Sequence, residues 1–195
     1  MMDTYRHTPV LTTRALELLS PALTGDSPVL VDATLGLGGH TEAFLASIPA
    51  LRVLGIDRDP EALESSKVRL APFGDRVIFA QCRYDDLGMA LDSQLGGEAP
   101  AAILFDLGVS SLHLDKPERG FSYSVDAPLD MRMNPGDAQS AAEILASYEV
   151  EQLAEIFWRY GDEKLAKRYA HAIADARAIK PVTRTSELVE ILQQA

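Results

Sequence analysis

Four short apolar runs separated by helical segments constrain the fold of this 195-residue chain more than any other feature. Each run is continuous rather than alternating in character, which is typical of strands buried on both faces of a parallel sheet. Strands that alternate with helices build a doubly wound α/β sheet. The sequence therefore predicts an α/β fold with strand order 3-2-1-4, whose strands cover residues 29–31, 52–57, 77–80 and 101–105.

Helix and turn signals fill the rest of the chain. Apolar periodicity predicts helices over 11–20 and 40–48, and Asp59-Pro60 supplies an N-cap and a first-turn proline for a third helix. Segment 112–138 contains several prolines and glycines with little periodicity, which predicts a functional loop. Beyond it we predict helices over 141–146, 150–160, 162–178, after a break at Gly161, and 185–192.

Charge and cysteine content narrow the function classes. The 29 Asp and Glu residues outnumber the 18 Lys and Arg residues, and the net charge of -11 argues against a general polyanion binder. The single Cys82 cannot form an internal disulfide, and four scattered His residues without a C-x-x-C pair leave no zinc ligand set. We expect a cytoplasmic protein with no metal, no signal peptide and no membrane span.

The first strand is followed by a glycine-rich turn that includes Gly36, Gly38 and Gly39. A dinucleotide-binding fingerprint would place its third glycine at position 41, where this chain has Thr41. The loop therefore favours S-adenosylmethionine over a pyrophosphate-bearing cofactor. Glycine-rich turns are also common without any ligand, so plain turn chemistry remains the alternative.

Two further segments fit a nucleoside. Asp57 ends the second strand 21 residues after Gly36, the separation at which a carboxylate can accept the ribose hydroxyls. Helix capping is the alternative, but Asp59 already explains the cap and leaves Asp57 for a ligand. After the third strand, Tyr84 and Asp86 are candidates for stacking on adenine and binding its amine, or else they form a solvated turn.

Asp106 follows the fourth strand, where ligands of open α/β sheets bind. A carboxylate there can accept the N–H of an amine nucleophile and draw charge from its nitrogen while a methyl group is transferred. Ser110 is a candidate second hydrogen-bonding group. The alternative is that Asp106 caps a turn with Ser110 and Ser111.

A basic row occurs in the helical part of the chain. Lys164, Lys167, Arg168 and His171 fall at i, i+3, i+4 and i+7, on one side of the predicted helix. Such a row is either a solvated face or a contact for RNA phosphates. Trp158 lies in an apolar helical stripe, a position more typical of a core residue.

Six ordered motifs together resemble the bacterial ribosomal small subunit methyltransferase H family over essentially the whole chain. They are HTPVL at 7–11, DATLGLGGHT at 32–41, GIDRD at 55–59, DLGVSS at 106–111, RGFS at 119–122 and LDMRM at 129–133. The resemblance implies a Rossmann-like class I methyltransferase that uses S-adenosylmethionine to methylate N4 of a cytosine in 16S rRNA, at the decoding centre of the small ribosomal subunit.

The resemblance also implies site residues and domains. The cofactor site would be lined by Gly38, Gly39, His40, Asp57, Tyr84, Asp106 and the position of His113, where the family usually has Gln. A helical insertion for substrate recognition would cover 138–180, between a methyltransferase core at 1–137 and the start of a return to that core at 181–195. Family members continue well beyond position 195, so we expect the last strands of the sheet to be missing.

Other functions remain compatible with the sequence. The same fold and cofactor serve small-molecule methyltransferases, and a fragment without its final strands can bind cofactor and be catalytically silent. The chain lacks the proline and aromatic residues that many N4-amino methyltransferases carry after strand four, so the base must stack on another ring. Phe121, Tyr123 and Trp158 are the candidates. Whether the chain forms a homodimer is left open.

Overall fold

The computed structural model describes residues 9–195, so His7 and Thr8 of the first motif lie outside the described residues. Within that range the strands form one parallel sheet of order β3-β2-β1-β4, which confirms the predicted order. The strands are β1 Val29–Asp32, β2 Arg52–Asp57, β3 Val77–Gln81 and β4 Ala102–Leu104.

Helices separate the strands and then occupy the rest of the chain. In the described residues they are α1 Thr12–Leu19, α2 Gly39–Ser47, α3 Pro60–Leu70, α4 Leu87–Leu95, α5 Ser111–Asp115, α6 Ala141–Ser147, α7 Val150–Gly161, α8 Ala166–Ile179 and α9 Thr185–Gln194. The predicted cap of α3 is confirmed, because the Asp59 side chain accepts a hydrogen bond from the Glu61 backbone N–H.

The chain divides into two compact units, the sheet unit up to Ser110 and the helical unit Ser111–Ala195. In the sheet unit every residue of β1 is buried, as expected for a central parallel strand. Side chains from β1, β2, α2 and α3 and their flanks form the main core, which includes Leu30, Phe44, Leu45, Leu51, Val53, Leu63 and Leu70. By contrast β4 lies at the edge of the described sheet, and its Ile103 is 38% exposed.

The helical unit has its own core, formed by Leu129, Leu145, Leu153, Ala170, Ile173 and Val182. Side chains of α9 pack on this core, so the segment after residue 181 belongs to the same compact unit as α6, α7 and α8. Along the chain the division between the compact units falls between Ser110 and Ser111, whereas the sequence predicts a core that extends to residue 137. The assignment of 138–180 as an insertion stays a prediction.

Two details of the helical unit differ from the sequence expectations. The predicted break between α7 and α8 is confirmed, because α7 ends at Gly161, but it is Asp162 and not the glycine that adopts the left-handed conformation, with a φ of 48°. Helix α8 accordingly begins at Ala166 instead of residue 162. Segment 112–138 is also better bonded than an open loop, since the Arg119 guanidinium donates to the carbonyls of Arg132 and Met133.

Candidate functional site

The carboxyl ends of three neighbouring strands carry aspartates. Asp32 ends β1, Asp57 ends β2, and Asp106 follows two residues after the end of β4. Because parallel strands present their carboxyl ends at one edge of the sheet, these side chains belong to the same edge. This edge is the candidate functional site of the sheet unit.

Asp57 fastens the turn that follows β1. One of its carboxylate oxygens accepts the Gly36 backbone N–H at 2.8 Å, and the other accepts the Asp59 backbone N–H at 2.9 Å. The expectation that capping leaves Asp57 entirely for a ligand is therefore corrected, because this carboxylate also holds local backbone. A carboxylate has about four acceptor sites, so these two donors do not prevent it from accepting others.

The glycines of this turn have distinct structural reasons. Gly38 has a φ of +76°, and a Cβ added there would lie 3.0 Å from Leu70 Cδ1. A Cβ on Gly39 would overlap Pro9 Cγ, closer than real side chains approach. Packing within the chain thus accounts for Gly38 and Gly39, as the turn-chemistry alternative requires. A Cβ on Gly36, which has a φ of +53°, would make only an ordinary contact, 3.9 Å from the Thr34 carbonyl oxygen.

Sequence reasoning missed the role of Asp32. Its side chain is buried and accepts hydrogen bonds from the Thr41 hydroxyl at 2.7 Å and the Thr34 backbone N–H at 3.3 Å. Burial raises the pKa of the Asp32 carboxyl to about 6, although the Thr41 and Thr34 hydrogen bonds oppose that shift. The signal in the sequence is Thr41 itself, which occupies the position of a third fingerprint glycine.

His40 connects the turn to Asp106. Its Nε2 is 3.1 Å from the Val10 carbonyl oxygen, which can only accept, so Nε2 carries the proton of this hydrogen bond. The Nδ1 atom lies 3.7 Å from Asp106 Oδ2, a distance at which a protonated His40 forms an ion pair with the carboxylate. Asp106 is also held through its backbone, whose N–H donates to Thr34 Oγ1 at 2.7 Å.

Two aromatic rings meet beside these carboxylates. Tyr84 lies in a single 3₁₀ turn after β3, and its ring centroid is 6.0 Å from that of Phe105, in an edge-to-face arrangement. Both side chains are about half exposed, which leaves ring surface for a ligand. Sequence reasoning proposed Tyr84 but treated Phe105 only as part of the fourth strand. Asp86 is half-buried at the end of the same turn.

The remaining candidates are distributed over both units. Ser110 is the last residue of the sheet unit and is half-buried. His113 lies in the helical unit, where it is buried and its ring centroid is 4.8 Å from that of Phe121. Tyr123 is 86% exposed and Trp158 is 63% exposed, so the expectation that Trp158 is a core residue is wrong.

The chemistry of the edge favours a cationic ligand over a phosphate. Three aspartates at neighbouring strand ends create a negative potential that attracts positive charge. Thr41, at the place of the third fingerprint glycine, donates its hydroxyl to Asp32.

In residues 9–195 we find no group of three or more His, Cys, Asp or Glu side chains arranged to hold a metal ion. Nor does any helix in that range have the length and apolar character to cross a membrane.

Comparison with known proteins gives one family. A family model described as the MraW methylase family matches residues 4–195. Similar proteins named "Ribosomal RNA small subunit methyltransferase H" include one from Clavibacter michiganensis subsp. michiganensis, 57% identical over 97% of this chain. Those from Mycolicibacterium gilvum and Mycobacterium marinum are 53% and 54% identical over 100% and 98% of this chain.

This chain is shorter than those relatives. It covers 59% of the Clavibacter michiganensis protein, 52% of the Mycolicibacterium gilvum protein and 50% of the Mycobacterium marinum protein. Among solved structures it is similar to a putative rRNA-methylase from Clostridium thermocellum, with 21% identity and a TM-score of 0.43 over 50% of each chain. An rRNA methylase from Streptococcus thermophilus gives 25% identity and a TM-score of 0.40, over 59% of this chain and 67% of that one.

Proposed function

Because this chain belongs to the MraW methylase family, we propose that it contributes to an S-adenosylmethionine-dependent methyltransferase that acts on small-subunit ribosomal RNA. The finer proposal is methylation of N4 of a cytosine in 16S rRNA, at the decoding centre. The observation that carries the proposal is the acidic edge formed by Asp32, Asp57 and Asp106, set in a chain that matches the family over residues 4–195.

The residues at this edge fit the proposed cofactor. S-adenosylmethionine carries a sulfonium and an ammonium group, and when bound it supplies an activated methyl group. Negative charge at the strand ends favours such a ligand. In this proposal Asp57 accepts the ribose hydroxyls while it continues to hold the Gly36 N–H, and the Tyr84 ring, steadied against Phe105, stacks on the adenine. The glycine-rich turn, Gly36 to Gly39, together with His40, forms the other wall.

Asp106 is the proposed catalytic residue. Its side chain is 55% exposed, so an acceptor base can reach it. The lone pair of a cytosine amine is delocalised into the ring, and a carboxylate that accepts its N–H makes the nitrogen a better nucleophile. In its protonated form His40, whose Nδ1 is 3.7 Å away, pairs with this carboxylate, while Ser110 and His113 remain candidates for further contacts. The base must leave its stack to reach such a site.

Cofactor binding is tested first. Calorimetry with S-adenosylmethionine should show at least about tenfold weaker binding for Asp57→Ala, because a hydrogen bond to a charged group contributes about 1.5 to 3 kcal/mol. Asp57→Asn keeps an oxygen for the Gly36 N–H, so it distinguishes the effect of the lost charge on cofactor binding from the effect of a loosened turn. Asp92→Ala removes an exposed carboxylate from α4 and is the matched control. Equal affinities for all variants would remove Asp57 from the site.

Methyl transfer is tested on small ribosomal subunits. Radiolabelled transfer followed by mass spectrometry of the nucleosides should give N4-methylcytidine. Transfer to another rRNA nucleoside would retain the enzyme class and reject cytosine N4. Tight cofactor binding with no transfer to RNA would favour a small-molecule acceptor or a silent cofactor-binding fragment.

A further inference from the structure

Almost every described cation of this acidic protein has a specific interaction. Some form ion pairs, such as Arg52 with Glu98 and Arg69 with Glu42, and others donate to backbone carbonyls, such as Arg76 and Arg177. The same holds for Arg14, Arg58, Lys67, Arg83, Lys116, Arg119, Arg132, Arg159, Lys180 and Arg184. In a chain with a net charge of -11, carboxylates are available to nearly any cation.

Three cations are the exception, and they lie within five consecutive residues of the chain, 164–168. Within residues 9–195, Lys164, Lys167 and Arg168 form neither a hydrogen bond nor an ion pair, and all three are exposed. We call these three residues the basic turn: Lys164 lies in the connection between α7 and α8, and Lys167 and Arg168 lie in the first turn of α8. Glu163 is nearby, but its carboxylate accepts the Leu165 backbone N–H at 2.8 Å instead of pairing with a lysine.

Large aromatic side chains accompany the basic turn. Trp158 is 63% exposed and Tyr160 is 77% exposed, both on the last turn of α7. Leaving a tryptophan in water forgoes one of the largest burial energies available to a side chain, so its exposure indicates an unfilled contact. Exposed aromatic rings and unpaired cations from one short stretch of chain, 158–168, are the combination that binds single-stranded nucleic acid, through base stacking and phosphate contacts.

We propose that the basic turn, together with Trp158 and Tyr160, is a docking surface for the phosphate backbone and unstacked bases of RNA. The inference rests on the proposed function for the identity of the RNA, but on the unpaired cations for the surface. An acidic protein segment could satisfy the charges, yet the exposed rings favour a partner with flat aromatic bases. The surface adds binding strength and leaves the choice of the methylated base to the acidic edge.

The test compares two variants that lose the same number of positive charges, one in the basic turn and one elsewhere. The triple variant Lys164→Gln, Lys167→Gln and Arg168→Gln is compared with a control, Arg14→Gln, Lys67→Gln and Lys180→Gln, whose cations are exposed but paired. Each triple removes three positive charges. Binding to protein-free small-subunit rRNA and to intact small subunits is measured between 50 and 200 mM salt, with thermal unfolding as the folding check.

The salt dependence gives the expected magnitude. Each lost phosphate contact lowers the slope of log affinity against log salt by about 0.7 for single strands. Three contacts correspond to about 2 units, so over a fourfold rise in salt the wild-type affinity should fall roughly 20-fold more than that of the basic-turn variant. The control should retain the wild-type slope.

Trp158 supplies a second readout, because it is the only tryptophan in the chain. Its fluorescence should be quenched when rRNA binds, and Trp158→Phe should remove the signal while retaining most of the affinity. Unchanged fluorescence at saturating RNA would place the RNA elsewhere and overturn the surface.

The other outcomes separate the surface from the function. If both triple variants lose affinity equally, if neither does, or if the wild-type chain does not bind rRNA, the surface inference is wrong. Normal binding to free rRNA with lost binding to intact subunits would assign the basic turn to a ribosomal protein and overturn the RNA inference. Basic-turn-dependent RNA binding by a chain that fails to bind S-adenosylmethionine would support the surface and reject the proposed function.

Discussion

The two ends of the candidate site are built in opposite ways. The glycine loop, residues 33–39, is held by two carboxylates. Buried Asp32 accepts hydrogen bonds from the Thr34 backbone N–H and from the Thr41 hydroxyl in α2. Partly exposed Asp57 accepts the Gly36 backbone N–H. The strand-four end, residues 105–109, is exposed throughout and is held to the loop by the Asp106 N–H on Thr34. A preorganised loop suits a small cofactor, whereas an exposed strand end suits a large substrate that completes the site itself.

This comparison predicts where substitutions cost stability and where they cost turnover. In the glycine loop, function and folding depend on the same contacts, so variants should lose both. At the strand-four end the side chains have few contacts to lose, and variants should remain folded while activity changes. The following predictions test that division, from the largest expected effect to the smallest.

The largest effect is expected at Asp32. Its pKa is raised from 3.8 to about 6 by burial, so between these values the folded chain binds a proton that the unfolded chain has released. The contribution of Asp32 to the free energy of unfolding therefore decreases as the pH rises from about 4 to about 6. At about 1.4 kcal/mol per pH unit, the shift amounts to about 3 kcal/mol.

Asp32→Asn removes this titration and keeps a side-chain oxygen for the Thr34 N–H. The difference in unfolding free energy between wild type and variant should change by about 3 kcal/mol across pH 4 to 6, then level off at higher pH. Denaturant titrations at several pH values measure it, and subtracting the two proteins cancels the other acids, including those of the helical unit. A pH-independent difference would show that Asp32 is ionised when buried.

Asp106 should give the opposite behaviour. Asp106→Asn is expected to lower kcat by about 100-fold, the lower range for loss of a proton acceptor, with unfolding free energy within about 0.5 kcal/mol of wild type. Asp92→Asn, an exposed carboxylate in α4, is the control. Assays on small subunits give kcat and KM separately. A normal kcat would exclude Asp106 from the reaction, and a large stability loss would contradict the open strand end.

The sequence predicts the scaffold of this site better than its contacts. Apolar runs mark the four strands to within one or two residues, because burial on both faces demands continuous apolar character. The strand order follows because right-handed crossovers leave few alternatives. The Asp32–Thr41 bond and the proximity of His40 to Asp106 depend on side-chain directions that no periodicity contains.

The helical unit shows a second limit of sequence reasoning. Glycine is the usual residue in the left-handed conformation that ends a helix, so the sequence predicts that Gly161 adopts this conformation. The chain instead continues α7 through Gly161 and places Asp162 in that conformation. Trp158 fits an apolar stripe yet is exposed, because which face of α7 is buried depends on the packing of α8.

A pair of glycines isolates the packing of the loop from backbone strain. Gly38 and Gly96 both adopt left-handed conformations, but only Gly38 has neighbours within 4 Å of an added Cβ, namely Leu70 and Ser66. Both alanine variants should lose about 1 kcal/mol from the strained backbone, and Gly38→Ala about 1 kcal/mol more from overpacking. Chemical denaturation gives the two values. Equal losses would indicate that the turn has room to adapt.

The smallest effect is expected at the open edge of the sheet. Within residues 9–195, strand β4 pairs with a neighbouring strand on one side only and has a 38% exposed Ile103, a combination that promotes pairing with a second chain. Ile103→Lys places a charge on that edge and should reduce concentration-dependent self-association while changing stability by about 0.5 kcal/mol or less. Val68→Lys is the control, since Val68 is 79% exposed on α3 and the substitution changes the net charge equally. Sizing chromatography over a range of concentrations compares them. A similar decrease in both variants would attribute the self-association to net charge. A decrease confined to Ile103→Lys would locate the self-association at β4 and show that the strand is accessible along its length, as its end is.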